Sequence, residues 1–288
     1  KLKVAVLIGG KSPEHEISLI SGREVIKNLD PKKYEVLPIV ISQDGKVWQL
    51  QDKKQFLLDS PAANLNSSNK SIVIDSLKIE NFKLKIKVID LVFIAMHGPY
   101  GEDGKVQGFL DIIDVPYTGS GVLTSAIGMD KIYSRILFTH SGLNVPKYVA
   151  IKKGDRQGEV WKLLTPPIFV HPPNQGSSVG SNLVKDKKSL EKAIHLAHQY
   201  SDTALVDEYI KGTEVTCAIL GNDNPKCLPL VEIRTKHEYF DYKAKYDERI
   251  TEEICPAQIS AILTKKAQQA ALTAYKTIGC RDFGRVDM

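Results

Sequence analysis

Strand and helix signals alternate along the N-terminal part of the sequence, in an order that occurs in few folds. Residues 4–8 form an uninterrupted apolar run closed by Gly9 and Gly10, which is typical of a parallel strand buried on both faces. Ser12 then stands where a helix N-cap belongs, and Pro13 suits the first helical position. A second apolar run over residues 34–41 predicts another strand. This strand–helix–strand order predicts an open parallel sheet covered by helices.

Length and composition limit the remaining possibilities. A chain of 288 residues suggests about two domains, at roughly 150 residues per domain. No apolar run approaches the roughly 18 residues that a membrane span requires, so no membrane partner is predicted. The net charge of +5 is spread along the chain without a basic block interleaved with aromatics, so nucleic acid is not predicted as a partner. The 4 cysteines contain no C-x-x-C pair, which favours reduced thiols in the cytoplasm.

The pattern of helix and strand signals changes at about residue 123. From there on the sequence predicts short helices and strands, which indicates an α+β arrangement. Helices are predicted over residues 131–140, about 188–200 and about 258–278. The last of these helices is followed by Gly279, which suits the C′ position of a helix cap. Strands are predicted over residues 147–151, 167–170, 204–206 and 214–220.

Three segments are candidates for ligand contacts. The loop Gly176-Ser-Ser-Val-Gly180 can bring backbone amides close to a phosphate, although many such runs are ordinary turns. Residues 207–214 place acids just after a strand, either as a solvated turn or as a hinge that holds adenine and ribose hydroxyls. The turn-rich loop 97–104, after a predicted strand over 88–96, lies where open α/β sheets bind ligands.

Two further segments are candidates for catalysis. Residues 240–246 combine aromatic and cationic side chains, either as an amphipathic hairpin or as a mobile lid that brings Lys245 and Tyr246 over a reacting centre. In the strand-like run 284–287, alternation directs Arg285 and Asp287 the same way. These two side chains either pair with each other or place a cation beside a developing oxyanion and a carboxylate on Mg²⁺.

Taken together and in this order, the motifs resemble those of the D-alanine–D-alanine ligases of the ATP-grasp superfamily, over essentially the whole chain. The matching blocks begin at Gly9, His97, Met129, Gly176, Asp207, Asp241, Cys255 and Gly284. The resemblance implies an ATP-grasp fold of mixed α/β and α+β class. It implies an N-terminal open parallel-sheet domain over residues 1–122, a central ATP-grasp subdomain over 123–212 and a C-terminal one over 213–288.

The resemblance also implies the activity. Enzymes of this family join two D-alanine molecules at the expense of ATP, through a D-alanyl phosphate, and so supply D-Ala-D-Ala for peptidoglycan synthesis. The expected ligands are therefore D-alanine, ATP and Mg²⁺ (or Mn²⁺), and the expected setting is a cytoplasmic homodimer. D-alanine–D-serine ligation and a catalytically impaired nucleotide-binding fragment of the same fold are the alternatives.

Site residues follow from the matched motifs. Glu14 would hold the ammonium of the first D-alanine, and Ser177 and Tyr246 would help to orient that substrate. Arg285 would stabilise the tetrahedral oxyanion, and Asp287 would ligate the metal. The residues implied in nucleotide binding are Lys131, His171, Ser178, Asp207, Glu208, Ile210, Glu214 and Lys245.

Three departures from the family pattern stand out. His171 replaces a lysine that binds ATP phosphates, and a neutral imidazole there would remove a full positive charge, so ATP binding or turnover is expected to be weaker than with lysine. Asp207 replaces a more usual glutamate, so Glu208 or the backbone is expected to share the adenine contact. The family pattern also continues beyond Met288 with an acidic residue and an asparagine that complete the metal sites, so a longer natural chain is expected.

Overall fold

The computed structural model describes residues 1–58, 71–73, 89–176, 179–235 and 251–288. These residues group into two compact units, 1–125 and 126–288. The domain boundaries at residues 122 and 212 stay predictions. Ser177 and Ser178 of the glycine-containing loop, and Lys245 and Tyr246 of the segment considered as a lid or a hairpin, lie outside the described residues.

The first unit is built on a sheet whose described strands run in the order β4-β3-β2-β1-β5. The strands are β1 (Leu2–Gly9), β2 (Tyr34–Ile41), β3 (Val47–Leu50), β4 (Ser71–Val73) and β5 (Leu91–Ile94). The helices of this unit are α1 (His15–Asn28), α2 (Lys53–Leu58) and α3 (Lys105–Ile112), and α4 (Val122–Met129) spans the boundary at residue 125. Strand β1 pairs in parallel with β2 and β5, as predicted, whereas β3 is antiparallel to both of its neighbours.

Strand β1 is buried on both faces because helices cover both sides of the sheet. Its even-numbered residues Val4, Val6 and Ile8 pack with residues of α1 and α2. The odd-numbered Ala5 and Leu7 pack with residues of α3. This alternation explains the continuous apolar run, since side chains of successive strand residues point to opposite faces.

The start of α1 differs from the prediction. Ser12 as N-cap and Pro13 as first helical residue are wrong, because α1 begins at His15 with Glu14 at the cap position. The amide of Ser12 donates to Gly10 O at 2.9 Å, and the amide of Glu14 donates to Ser12 Oγ at 3.1 Å. These bonds form a turn, and the helix begins two residues later than predicted.

The second unit begins with α5 (Lys131–His140) and a four-stranded antiparallel sheet of order β6-β9-β7-β8. Its strands are β6 (Tyr148–Lys152), β7 (Ile168–His171), β8 (Asn182–Val184) and β9 (Thr203–Glu208). Between them lie the short α6 (Val160–Leu163) and α7 (Leu190–Ala197). As predicted, Leu190, Ala193, Ile194 and Ala197 share one buried face of α7, and that face packs on the sheet.

A second antiparallel sheet follows in the same unit, with strands β10 (Glu214–Leu220), β11 (Lys226–Cys227), β12 (Val231–Thr235), β13 (Thr251–Ile254) and β14 (Phe283–Asp287). The alanine-rich α8 (Ala261–Thr277) packs on it through Ala271 and Tyr275. Ser260 caps α8, and Gly279 has φ +70, which confirms the predicted left-handed C-cap. No helix within the described ranges has the length and apolar character needed to cross a membrane.

Candidate active site

Glu14 lies at the N-terminus of α1, where the loop that follows β5 meets it. A Cβ atom on Gly98 would lie 2.5 Å from Glu14 Oε2 and 3.0 Å from Ser12 Oγ. Gly98 also has φ +66, a conformation that residues with side chains rarely adopt. Glycine is therefore required where the loop passes the Glu14 carboxylate.

Hydrogen bonds fix this loop next to Glu14. The amide of Gly98 donates to Glu102 Oε2 at 2.7 Å, which closes the turn within the loop. The Oγ of Ser21, on α1, lies 2.7 Å from Nε2 of His97. The loop 97–104 was predicted to bind a ligand, and the structure brings it to the carboxylate expected to bind the substrate ammonium.

Lys131 is the first residue of α5 and connects that helix to the segment before the glycine-containing loop. Its amide donates to Pro173 O at 3.0 Å, and its Nζ donates to Gln175 O at 2.8 Å. The ammonium thus lies at the entrance to the loop Gly176–Gly180, which was predicted to approach a phosphate. This position suits a compact cation that contacts phosphate oxygens.

Asp207 and His171 lie on one face of the sheet and are in direct contact. In the register of β7 and β9, His171 pairs with Leu205 and Phe169 pairs with Asp207, so the two polar residues are diagonal neighbours. The Nε2 of His171 donates to Asp207 Oδ2 at 2.9 Å. Both residues are buried, at 5% and 6% exposure.

Arg135, on α5, completes this cluster. Its Nη1 donates to Asp207 Oδ1 at 2.6 Å and its Nη2 to Oδ2 at 2.7 Å, which is a bidentate pair. Its guanidinium also lies 5.4 Å from the ring centre of Tyr148, which pairs with Asp207 across β6 and β9. The sequence interpretation missed Arg135, although its position four residues after Lys131 places both cations on one side of a helix.

The environment of Asp207 favours its charged form. Burial alone would raise the pKa of this carboxyl, but the hydrogen bonds from His171 and Arg135 and their charges outweigh it, so the pKa lies below its ordinary value of 3.8. Asp207 is therefore a buried carboxylate whose two oxygens are both occupied by donors of the protein.

A pH dependence of stability follows from this shift. A carboxylate whose pKa is lower in the folded than in the unfolded chain stabilises the fold above the unfolded value, and the contribution is lost as pH falls through the folded value. We expect the Asp207→Asn substitution to lower the free energy of unfolding most strongly near neutral pH, and to lower it progressively less below about pH 4. Urea unfolding of both proteins at several pH values measures this difference. A difference that stays constant from neutral to acid pH would contradict it.

The remaining nucleotide candidates lie around the end of β9. The Oε1 of Glu208 accepts a hydrogen bond from the amide of Lys147 at 2.8 Å, which ties the two strand ends together. Ile210 is 62% exposed, although it is apolar. Glu214 is exposed at the first position of β10. An exposed aliphatic side chain between acids suits a flat, apolar base with a hydroxyl-bearing sugar.

Arg285 and Asp287 project from the same face of β14, as predicted. The Nε of Arg285 donates to Asp287 Oδ1 at 2.9 Å, and Nη2 donates to Oδ2 at 3.2 Å. The hydroxyl of Thr216, on β10, donates to Asp287 Oδ1 at 2.9 Å. Both charged side chains are exposed, so they are accessible to a ligand as well as to each other.

Comparison with known proteins assigns the family. The model of the D-ala D-ala ligase N-terminus matches residues 3–120, and that of the D-ala D-ala ligase C-terminus matches residues 137–288. A curated D-alanine–D-alanine ligase of Geobacillus kaustophilus (strain HTA426) is 39% identical, and the match covers 100% of this chain and 82% of the relative.

Solved structures agree. The VanG D-Ala:D-Ser ligase of Enterococcus faecalis superposes with a TM-score of 0.83 at 34% identity, covering 100% of this chain and 86% of that one. The D-alanine–D-alanine ligase of Bacillus anthracis complexed with ATP superposes with a TM-score of 0.74 at 31% identity, covering 100% of this chain and 81% of that one. The chain therefore has the ATP-grasp fold and belongs to the D-alanine–D-alanine ligase family.

Proposed function

We propose that this protein joins two D-alanine molecules, using ATP, to make D-Ala-D-Ala for peptidoglycan. The observation that carries the proposal is the pair Arg285 and Asp287 on one accessible face of β14, in a chain of this family. In the proposed reaction the carboxylate of the first D-alanine attacks the γ-phosphate, giving D-alanyl phosphate and ADP. The amine of the second D-alanine then attacks the acyl carbonyl, and phosphate leaves from a tetrahedral intermediate.

Each charged residue has a role that its chemistry supports. Glu14 binds the ammonium of the first D-alanine, because a carboxylate on a fixed helix end forms a charge-assisted hydrogen bond with it. Arg285 stabilises the oxyanion of the tetrahedral intermediate. Ser177 and Tyr246 orient the first D-alanine together with Glu14. Catalysis of this kind depends mainly on positioning and on neutralising charge.

ATP is proposed to bind along the second unit. Ile210 would contact the adenine, and Glu208 and Glu214 would accept hydrogen bonds from its amino group and the ribose hydroxyls. Lys131 would contact the phosphates, together with Ser178 of the glycine-containing loop. Lys245 would reach the γ-phosphate from the lid. The exposure of Ile210 and the place of Lys131 beside Gln175 support this arrangement.

The donor set fits Mg²⁺. Asp287 offers an exposed carboxylate, and Mg²⁺ is usually bound by one or two carboxylates together with substrate phosphates. Bound Mg²⁺ (or Mn²⁺) would neutralise charge on the phosphates. Arg285 and Thr216 would keep the Asp287 carboxylate oriented.

The protein is further proposed to act as a homodimer in the cytoplasm. Light scattering of the purified protein measures its oligomeric state.

The direct test is phosphate release from ATP that depends on D-alanine, with the dipeptide identified by mass spectrometry. In the full-length gene product, Glu14→Gln is expected to raise the KM for D-alanine about 10–100-fold, since a hydrogen bond to a charged group contributes about 1.5–3 kcal/mol. Glu16→Gln is the matched control, because Glu16 is exposed in the first turn of the same helix. Turnover of neither D-alanine nor D-serine would refute the proposal.

D-alanine–D-serine ligation is the second candidate, and the VanG D-Ala:D-Ser ligase among the structural relatives favours keeping it. Competition between equal concentrations of D-alanine and D-serine as second substrate separates the two, because the products differ in mass by one oxygen atom. Nucleotide binding without any dipeptide would instead support the impaired nucleotide-binding alternative.

A further inference from the structure

Gln107, on α3, is a buried polar residue to which the proposed reaction gives no role. The residue is 5% exposed, and its Nε2 donates to the carbonyl oxygen of Gly101 at 2.8 Å. Its Oε1 is buried as well and accepts no hydrogen bond from any group in the described parts of the chain. An unpaired buried acceptor lowers the stability of a fold, so stability alone does not account for a glutamine here.

The carbonyl that Gln107 holds belongs to the peptide between Gly101 and Glu102. The amide of the same peptide, which is that of Glu102, donates to Gly98 O at 2.9 Å. The amide of Gly98 in turn donates to Glu102 Oε2 at 2.7 Å. Because a peptide is planar and rigid, this one is fixed on both sides, by α3 through its carbonyl and by Gly98 through its amide.

The backbone just before this peptide has a conformation that its surroundings must enforce. Tyr100 has φ +71, in the left-handed region that residues with side chains rarely adopt, and such conformations persist where nearby contacts hold them. Gly101 also lies so close to Met96 that a Cβ atom on it would be 2.5 Å from Met96 Cβ. Removing a hydrogen bond that holds this strained loop should therefore let the loop relax to a different conformation.

The fixed peptide also determines how Gly98 lies against Glu14. A Cβ atom on Gly98 would be 2.5 Å from Glu14 Oε2, so the loop backbone and the carboxylate are in close contact. Without the donor of Gln107, the buried carbonyl of Gly101 would have to turn toward water to be paired. The peptide would then carry Gly98 with it and loosen its contact with the carboxylate.

We propose that Gln107 is a positioning residue for the first D-alanine. By holding the peptide that follows Gly101, it fixes Gly98 against Glu14 and so fixes one side of the ammonium site. This inference rests on the proposed function for the identity of the ligand. Glutamine supplies a donor without a charge, which suits a buried position where a lysine or arginine would be costly to desolvate. The unpaired Oε1 is the consequence of using an amide as that donor.

The first test uses Gln107→Met in the full-length gene product, with steady-state kinetics and thermal unfolding. Methionine is similar in length and removes the donor and the unpaired acceptor together, so Tm is expected to stay within about 4 °C of that of the starting protein. The KM for the first D-alanine is expected to rise about tenfold, with the KM for ATP unchanged. An unchanged KM for D-alanine, or a larger fall in Tm, would overturn the proposal.

The matched control is Gln268→Met. Gln268, on α8, donates through Nε2 to Leu228 O at 3.2 Å, so this variant removes the same kind of bond in the other unit. Its KM for the first D-alanine should equal that of the starting protein. An equal rise in both variants would show that the effect does not come from the loop 97–104, and the proposal would fail.

A double-mutant cycle with Glu14→Gln tests whether Gln107 acts through Glu14. If it does, Gln107→Met should raise the KM for the first D-alanine less than about twofold once Glu14 is replaced, against about tenfold in the starting protein. Additive effects of the two substitutions would contradict this and leave Gln107 without the positioning role.

Hydrogen exchange followed by mass spectrometry separates a failure of this inference from a failure of the proposed function. In Gln107→Met the amides of residues 98–102 are expected to exchange about tenfold faster, while those of α1 stay unchanged. If the starting protein turned over neither D-alanine nor D-serine, the proposed function would fail, and the exchange rates would still show whether Gln107 holds the loop. Unchanged exchange in residues 98–102 would overturn the inference in either case.

Discussion

Arg285→Met is expected to lower kcat for D-alanine-dependent phosphate release about 10²–10³-fold, as measured for removal of a single oxyanion-stabilising group. The physical reason is that charge develops on the acyl oxygen in the tetrahedral intermediate, and the guanidinium of Arg285 is the group proposed to meet it. A coupled assay for ADP or phosphate, at saturating ATP and D-alanine, measures the loss.

Arg285 also contacts Asp287, so the variant disturbs a proposed metal ligand as well. A Mg²⁺ titration separates the two effects, because excess Mg²⁺ restores a weakened metal site but not a missing cation. Arg281→Met is the matched control, since Arg281 is an exposed arginine four residues away. A kcat for Arg285→Met close to that of the Arg281 control at high Mg²⁺ would refute the oxyanion role.

Arg135→Met is expected to destabilise the protein by about 3–5 kcal/mol, because it leaves the buried Asp207 carboxylate without its bidentate partner. For a unit of this size the loss corresponds to a fall in Tm of roughly 10 °C. Thermal unfolding followed by circular dichroism measures it. Arg135→Lys keeps the positive charge but not the planar guanidinium with its two parallel N–H donors, so this variant should be destabilised less than Arg135→Met but more than the starting protein.

The matched control for Arg135→Met is Lys153→Met. Lys153 donates to Asp202 at 2.8 Å in an exposed ion pair of the same unit, with side-chain exposures of 55% and 91%. Exposed pairs contribute little because water screens them, so this variant should leave Tm unchanged. If the two variants unfolded at the same temperature, the cluster at Asp207 would not have the stabilising role assigned to it.

Local patterns were sufficient to predict most of the framework. Strands β2 and β10 have both predicted ends, and helix α5 spans the predicted residues 131–140. The predicted helix over about 188–200 is shorter in the structure, where α7 spans Leu190–Ala197 and His198 is its C-cap residue. The predicted strand over 88–96 is also shorter, although residue 88 lies outside the described ranges.

The charged cluster could not be predicted from local patterns. The contact between His171 and Asp207 depends on the register of β7 and β9, and the sequence contains no signal that sets this register. Arg135 reaches Asp207 only because α5 packs over the same face of the sheet. Strand β3 and its antiparallel pairing with β2 were not predicted from the sequence.

The two-sided burial of β1 has a consequence for how the N-terminal unit unfolds. Val6 and Leu7 are adjacent in sequence, but one belongs to the layer of α1 and α2 and the other to the layer of α3. Both layers lose their packing contacts with β1 if this strand leaves the sheet, so neither layer can unfold while the other stays folded. The two layers should consequently exchange their amide hydrogens in a single cooperative opening, with the amides of β1 among the slowest.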